Sequence, residues 1–312
     1  MKLKKPNFWD YKKPNLLSYL LLPLTLPIIL NNLLLDKKKN IEIKSIKKIC
    51  VGNIYVGGTA KTPLSIKISQ IIKKLGYKTA IIKKFYSDQS DEQKLLRKRD
   101  KLYTLSYRKE SLKKAVQENI DFAIFDDGLQ DKSLSYNLKF VCFNSEKWIG
   151  NGFLIPAGPL REKLDSIVKY DAIFLNGNEE DNSNKKEIIK KHNPNIKIFE
   201  TYYFPININK FNIKDKYLIF SGIGNPDSFK KTLERNKINI VKEINFPDHY
   251  QYLSNDIDRI KFTAKNFNAK ILTTEKDYLR IKNEDSEGIE FLEIDIIIKQ
   301  EAELIKFIKT LL

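Results

Sequence analysis

At 312 residues the chain is long enough for two domains with cores of their own, and a hydrophobic fraction of 42% excludes a wholly disordered protein. Lys and Arg outnumber Asp and Glu by 56 to 39, a net charge of +17 that suits an anionic partner: nucleic acid, a membrane surface or a phosphorylated substrate. The lysines are scattered and carry no RNA-binding signature, so nucleic acid is not the expected partner, and no protein partner is evident.

Residues 1–40 form a basic, leucine-rich segment. Lys2, Lys4, Lys5, Lys12 and Lys13 precede the stretch from Leu16 to Leu35, Lys37, Lys38 and Lys39 follow it, and Phe8, Trp9, Tyr11 and Tyr19 supply aromatic anchors. Pro23 and Pro27 interrupt the stretch. Its apolar runs fall well short of the ~20 residues a spanning helix needs, and no convincing small-residue cleavage site follows. The composition predicts a membrane-surface helix with leucines at the headgroup boundary and lysines on anionic lipid. The alternative is a hydrophobic helix packed on the domain.

Next comes the most informative stretch, Val51 to Pro63, reading VGNIYVGGTAKTP. Ile46 to Val51 predicts a buried strand. Apolar residues at Leu64, Ile66, Ile68, Ile71, Ile72 and Leu75 predict a helix that Gly76 ends. Strand, glycine loop, Lys-Thr and helix is the layout of a phosphate-binding loop. Gly57, Gly58, Thr59 and Ala60 would bring backbone N–H groups onto phosphate oxygens, helped by the helix N-terminus. Lys61 would reach the β- and γ-phosphates, and Thr62 would hold Mg²⁺. Two positions depart from the general pattern: Ala60 replaces the glycine before the lysine, and Tyr55 stands where the first glycine belongs.

Lys78 to Ile82 predicts a second strand, followed by Lys83-Lys84-Phe85-Tyr86-Ser87 and then Ser90-Asp91-Glu92. By themselves Asp91 and Glu92 read as a helix N-terminus. Ser111 to Ile120 predicts a helix. The strand Phe122 to Phe125 then runs into Asp126-Asp127-Gly128-Leu129-Gln130, where carboxylates at a strand end can hold Mg²⁺ beside a phosphate loop. Further strands are predicted at Leu138–Phe143 and Asp171–Leu175. Cys50 and Cys142 fall in these apolar runs and read as buried small side chains, without disulfide framework or metal spacing, which suits a reducing cytosol. Between the last two strands lies Pro156-Ala157-Gly158-Pro159-Leu160-Arg161-Glu162, a rigid loop able to present the planar fork of Arg161 to phosphates. Residues 177–195 read as a variable surface segment, and Ile196 to Tyr203 as extended. From Tyr217 a second α/β alternation begins, carrying Gly222-Ile223-Gly224-Asn225-Pro226, Phe246-Pro247-Asp248-His249 and Thr274-Glu275-Lys276-Asp277. Alternating strands and helices imply parallel sheets in both domains.

Taken in order, these motifs resemble the tetraacyldisaccharide 4′-kinases, the lipid A kinases of Gram-negative bacteria. The resemblance rests on G-N-x-x-x-G-G-T-x-K-T-P, Asp91-Glu92, Asp126-Asp127-Gly128 with Gln130, Pro156 to Glu162, Gly222 to Pro226, Asp248-His249 and Thr274 to Asp277. Lys84, Phe85 and Asp131 depart from it, standing where the family has arginine, glycine and histidine. It implies a P-loop NTPase-like parallel-sheet domain over residues 41–205 and a smaller α/β domain over 206–312, after the membrane-associating segment 1–40. It also implies transfer of the ATP γ-phosphoryl group to the 4′-hydroxyl of tetraacyldisaccharide 1-phosphate, with Mg²⁺, at the cytoplasmic face of the inner membrane. Lys61, Asp91 and His249 are then the implied catalytic residues, Asp91 being the candidate base assisted by His249. Thr62, Asp126 and Asp127 are the implied metal ligands. Gly57 to Thr62, Arg161 and Glu162 are the implied nucleotide contacts. The rival reading is a P-loop nucleotide-binding switch or scaffold without lipid kinase activity.

Overall fold

The structure, a computed structural model, describes residues 5–36, 42–87, 90–177 and 181–312. Of the lysines flanking the leucine-rich segment, Lys2, Lys4, Lys37, Lys38 and Lys39 lie outside the described residues. The described chain divides into two compact units. The first comprises residues 1–84, 100–202 and 297–312, the second residues 85–99 and 203–296. The expected border between residues 205 and 206 is therefore crossed twice, by residues 85–99 and by residues 297–312.

The first unit is built on an eight-stranded sheet whose central strand is β1 (Lys47–Gly52). β1 pairs in parallel with β4 (Phe122–Asp126) on one side and β5 (Leu138–Asn144) on the other. Outward from β4 come β2 (Thr79–Lys84) and β3 (Leu102–Leu105). Outward from β5 come β6 (Ala172–Asn176), β7 (Lys197–Pro205) and β12 (Ile294–Ile298). The central strands are buried almost end to end, as expected where both faces of a parallel sheet are covered. Residues Cys50, Ala80, Ile82, Ala123, Phe125, Val141 and Ile173 belong to one core cluster, which explains the inert cysteine.

α1 (Leu16–Leu20) and α2 (Leu26–Asp36) belong to the leucine-rich segment. α3 (Lys61–Lys74) follows the phosphate loop and buries Leu64, Ile68, Ile71 and Ile72, the i, i+4, i+7, i+8 stripe of an amphipathic helix. Gly76, with φ of 92°, lets the chain leave it. α4 (Ser90–Arg99) belongs to the second unit and α5 (Arg108–Gln117) to the first. α5 begins and ends three residues earlier than predicted, because Asn119 takes a left-handed conformation (φ 53°) and the Ile120 N–H turns back to the Ala115 carbonyl. Within residues 177–195, read as a variable surface segment, residues 183–192 form α6 (Ser183–His192). That helix buries Ile189 alone among its own residues, too little apolar periodicity to read.

The second unit has a four-stranded sheet in the order β11-β10-β8-β9, from Ile289–Leu292, Lys270–Thr274, Lys216–Ser221 and Asn239–Asn245, with every pairing parallel. Its helices are α7 (Pro226–Arg235), α8 (Ser254–Asn266) and the short α9 (Glu275–Tyr278). The chain then returns to the first unit with α10 (Glu301–Lys309), which buries Leu304 and Ile308.

Candidate active site

The phosphate loop hangs between the C-terminal end of β1 and the start of α3. Asn53 organises it from within, its amide donating to the Tyr55 carbonyl at 2.5 Å and to Thr59 Oγ1 at 3.0 Å. The rigid loop that follows β5 braces it from outside: the Val56 N–H donates to the Pro159 carbonyl (2.9 Å) and the Arg161 N–H to the Ile54 carbonyl (2.7 Å). Tyr55 is buried away from the loop interior, against Leu154 and Leu160, with its hydroxyl on Asp10 at 2.5 Å. Gly57 has φ of 142°, and a Cβ there would meet the Tyr55 ring at 3.1 Å. Ala60 caps α3 in a left-handed conformation (φ 66°, ψ 20°), the geometry that makes glycine usual here.

Thr62, Asp126 and Asp127 converge because β4 lies in register beside β1, with Val51 opposite Asp126. Thr62 Oγ1 donates to Asp126 Oδ2 at 3.1 Å. Lys83 Nζ, from the next strand, donates to the same oxygen at 2.9 Å and is buried with it. Asp127 turns out of the strand with φ of 57°, its N–H held by the Val51 carbonyl. Its carboxylate lies 3.9 Å from Lys61 Nζ and 3.4 Å from Arg161 Nη1. Burial alone would raise its pKa, but the charges of Lys61, Arg161, Lys83 and Arg108 hold it below the usual carboxylate range. Arg161 also reaches Gln130 (3.2 Å). Glu162, expected at the nucleotide, is buried and accepts from the Tyr170 hydroxyl (2.8 Å) and Gln130 (3.3 Å), so here it braces the loop. Asp131 grips Arg108, whose other nitrogen donates to the Asp127 carbonyl at 2.6 Å. The donor set of one hydroxyl and two carboxylates is the hard oxygen chemistry that Mg²⁺ takes.

Asp91 and His249 meet inside the second unit. Asp91 is the second residue of α4 and is fully buried; its Oδ1 lies 3.4 Å from His249 Nδ1 and its Oδ2 accepts from Arg280 Nη2 at 2.7 Å. Both oxygens of the expected base are thus engaged. Burial works against its charge, but the His249 hydrogen bond, the Arg280 charge and Lys276 outweigh it and hold the carboxyl down at about 2. His249 sits in a left-handed turn (φ 56°) with its N–H on the Gly222 carbonyl (3.1 Å). The Thr274 to Asp277 motif clamps α4: Lys276 pairs with Glu92 (2.6 Å), and Glu275 takes Lys98 (2.7 Å) and Arg99 (3.0 Å). This is why residues 85–99 belong with the second unit. His192 pairs with Asp165 in the first unit, not with the Asp91 cluster of the second.

A family model described as tetraacyldisaccharide-1-P 4′-kinase matches residues 20–312. The chain belongs to that family. A tetraacyldisaccharide 4′-kinase from Pelagibacter ubique (strain HTCC1062) is 49% identical over 304 residues, covering 97% of this chain and 96% of that protein. One from Rickettsia typhi is 35% identical over 299 residues, 90% of each. In fold, the chain is similar to the crystal structure of LpxK from Aquifex aeolicus in complex with ATP, with a TM-score of 0.69, 22% identity, and coverage of 95% of this chain and 99% of that one. The α/β class with a P-loop-type parallel sheet, and the family membership, are as the motifs implied.

Three residues at these clusters had no motif to announce them. Lys83 is visible only through its register with Asp126. Arg108 and Arg280 reach their partners through turns whose geometry the sequence does not display. For Lys83 the one signal is a lysine in an otherwise apolar strand, and it is weak.

Proposed function

We infer that this protein uses ATP to phosphorylate the 4′-hydroxyl of tetraacyldisaccharide 1-phosphate, a step of lipid A biosynthesis. The observation that carries this is the family match over residues 20–312, which includes both side-chain clusters. In this reading Lys61 leaves Asp127 for the β- and γ-phosphates, and Arg161 stabilises charge on the phosphoryl group. Thr62, Asp126 and Asp127 would hold Mg²⁺, which neutralises charge building on the transferred group. The sugar oxygen forms its bond to the γ-phosphorus as the bridging bond to ADP breaks. Its proton goes to the Asp91–His249 pair. Asp91 keeps its charge and orients the ring, and the outer nitrogen of His249, Nε2, is the acceptor, with Asp248 Oδ1 3.9 Å away.

The leucine-rich segment supports a membrane location for the lipid substrate. Trp9, Ser18 and Thr25 are buried, while Leu16, Leu20, Leu30 and Leu34 point to solvent with about 60–77% exposure. Exposed leucines gathered in one segment fit an interaction surface. Among the described residues no helix is long and apolar enough to cross a membrane. We read the segment as lying on the cytoplasmic face of the inner membrane, with Lys12 and Lys13 near anionic lipid. The departures at Ala60 and Asp131 are each accommodated locally, so nothing observed favours the switch or scaffold reading.

The test is phosphate transfer from radiolabelled ATP to tetraacyldisaccharide 1-phosphate. Lys61→Ala is expected to abolish it while the protein stays folded. Transfer undiminished in that variant would mean that this loop is not the phosphate site.

A further inference from the structure

We propose that Arg280 is the positioning residue of the proton-accepting pair, fixing through Asp91 which nitrogen of His249 carries the proton. The proposal rests on the reading of Asp91 and His249 as that pair.

The Arg280 side chain is entirely buried, and its charge is met by the carboxylates of Asp91 and Asp277. Nη2 donates to Asp91 Oδ2 at 2.7 Å. Nη1 donates to the Gly222 carbonyl at 2.7 Å and to Asp277 Oδ1 at 2.9 Å. Nε has no hydrogen-bond partner among the described residues. The guanidinium ties three pieces of chain together: α4 through Asp91, the turn after β8 through Gly222, and α9 through Asp277. Asp277 is itself fixed by the Gly222 N–H (2.9 Å) and the Tyr252 hydroxyl (2.8 Å).

The Gly222 carbonyl accepts from both Arg280 Nη1 and the His249 N–H. One oxygen therefore locates the backbone of the histidine and the arginine that holds its partner. A Cβ on Gly222 would lie 3.3 Å from Arg280 Nη1 and 3.0 Å from the Pro247 carbonyl, so any side chain there would push these groups by a few tenths of an ångström. With Oδ2 occupied by Arg280, Asp91 can offer only Oδ1 to the ring. An ionised carboxylate accepts and cannot donate, so the nitrogen facing it, Nδ1, carries the proton. Asp248 Oδ1 lies 3.9 Å from Nε2, beyond hydrogen-bond reach, so the lone pair is left on Nε2, where a substrate proton can be received. Without Arg280 the carboxylate is free to rotate or to take a proton itself, and the ring loses its preferred tautomer. A lysine supplies charge at one point but cannot bridge Asp91, Asp277 and Gly222 together.

The chain has only two histidines, so His192→Gln leaves His249 as the sole imidazole. In that background, ring ¹⁵N spectra of the neutral imidazole are expected to show the proton on Nδ1. Arg280→Gln is expected to mix the tautomers and lower kcat by about 10–100-fold with the KM for ATP unchanged, and Arg280→Lys to lie between. If Arg280→Gln does not fold, Arg280→Lys decides by the same readouts. An unchanged tautomer and kcat in the folded variants would overturn the proposal. Asp91→Asn separates the two readings: full activity there removes the pair itself. A kcat lowered by Asp91→Asn but untouched by Arg280 substitution removes only the role of Arg280.

Discussion

Ala60 shows how a single position departs from a pattern without losing its geometry. The backbone there is left-handed, and an L-residue other than glycine adopts that conformation at a cost of about 1 kcal/mol. The loop keeps its shape because Asn53 holds it from inside and the Pro156 to Glu162 loop holds it from outside. Ala60→Gly is therefore expected to stabilise the protein by up to about 1 kcal/mol, seen as a higher urea midpoint with unchanged slope. A lower midpoint would mean that the buried Ala60 methyl contributes more by packing than it loses in strain. Asp127 and His249 are also left-handed, and both stand in the candidate clusters, where such conformations gather.

The leucine-rich segment inverts the usual arrangement of an element. Its polar groups face the protein: Asn151 donates to Ser18 Oγ (3.0 Å), Asn32 to the Arg161 carbonyl (2.9 Å), and Trp9 Nε1 to the Pro156 carbonyl (2.9 Å). Its leucines face solvent. Removing residues 1–35 outright would thus also take Asp10 from Tyr55 and Trp9 from the loop beside the phosphate site. Substituting Leu20, Leu24, Leu30 and Leu34 together by serine is cleaner, since all four are exposed. That variant is expected to keep its thermal stability and to lose flotation with anionic phospholipid vesicles, each leucine giving up about 1.5–3 kcal/mol of burial in lipid. Vesicle binding at the original strength would rule out the membrane reading of this surface.

Across the whole molecule, chain order and spatial order part company at both ends of the second unit. α10 comes last in sequence, yet Phe307 packs on Phe140 of β5 and Glu301 lies 3.5 Å from Lys67 of α3. Deleting residues 297–312 is accordingly expected to impair nucleotide binding and lower the stability of the first unit, read by calorimetry with and without ATP. Loss confined to the second unit would contradict that assignment. What the sequence determined by itself was local. Apolar period marked β1, β4, β5 and α3, glycines and prolines marked the turns, and the order of short motifs marked the family, because each depends on neighbours within a few residues. Tertiary structure alone decided the rest. Pairing β2 with β4 set Lys83 against Asp126, and clamping α4 with Glu275 and Lys276 brought Asp91 to His249 across 158 residues of chain. Folding buried Arg280 where its charge holds a carboxylate. Such contacts are set by strand order and by the closing of long loops, and a single sequence records neither the register nor the partner.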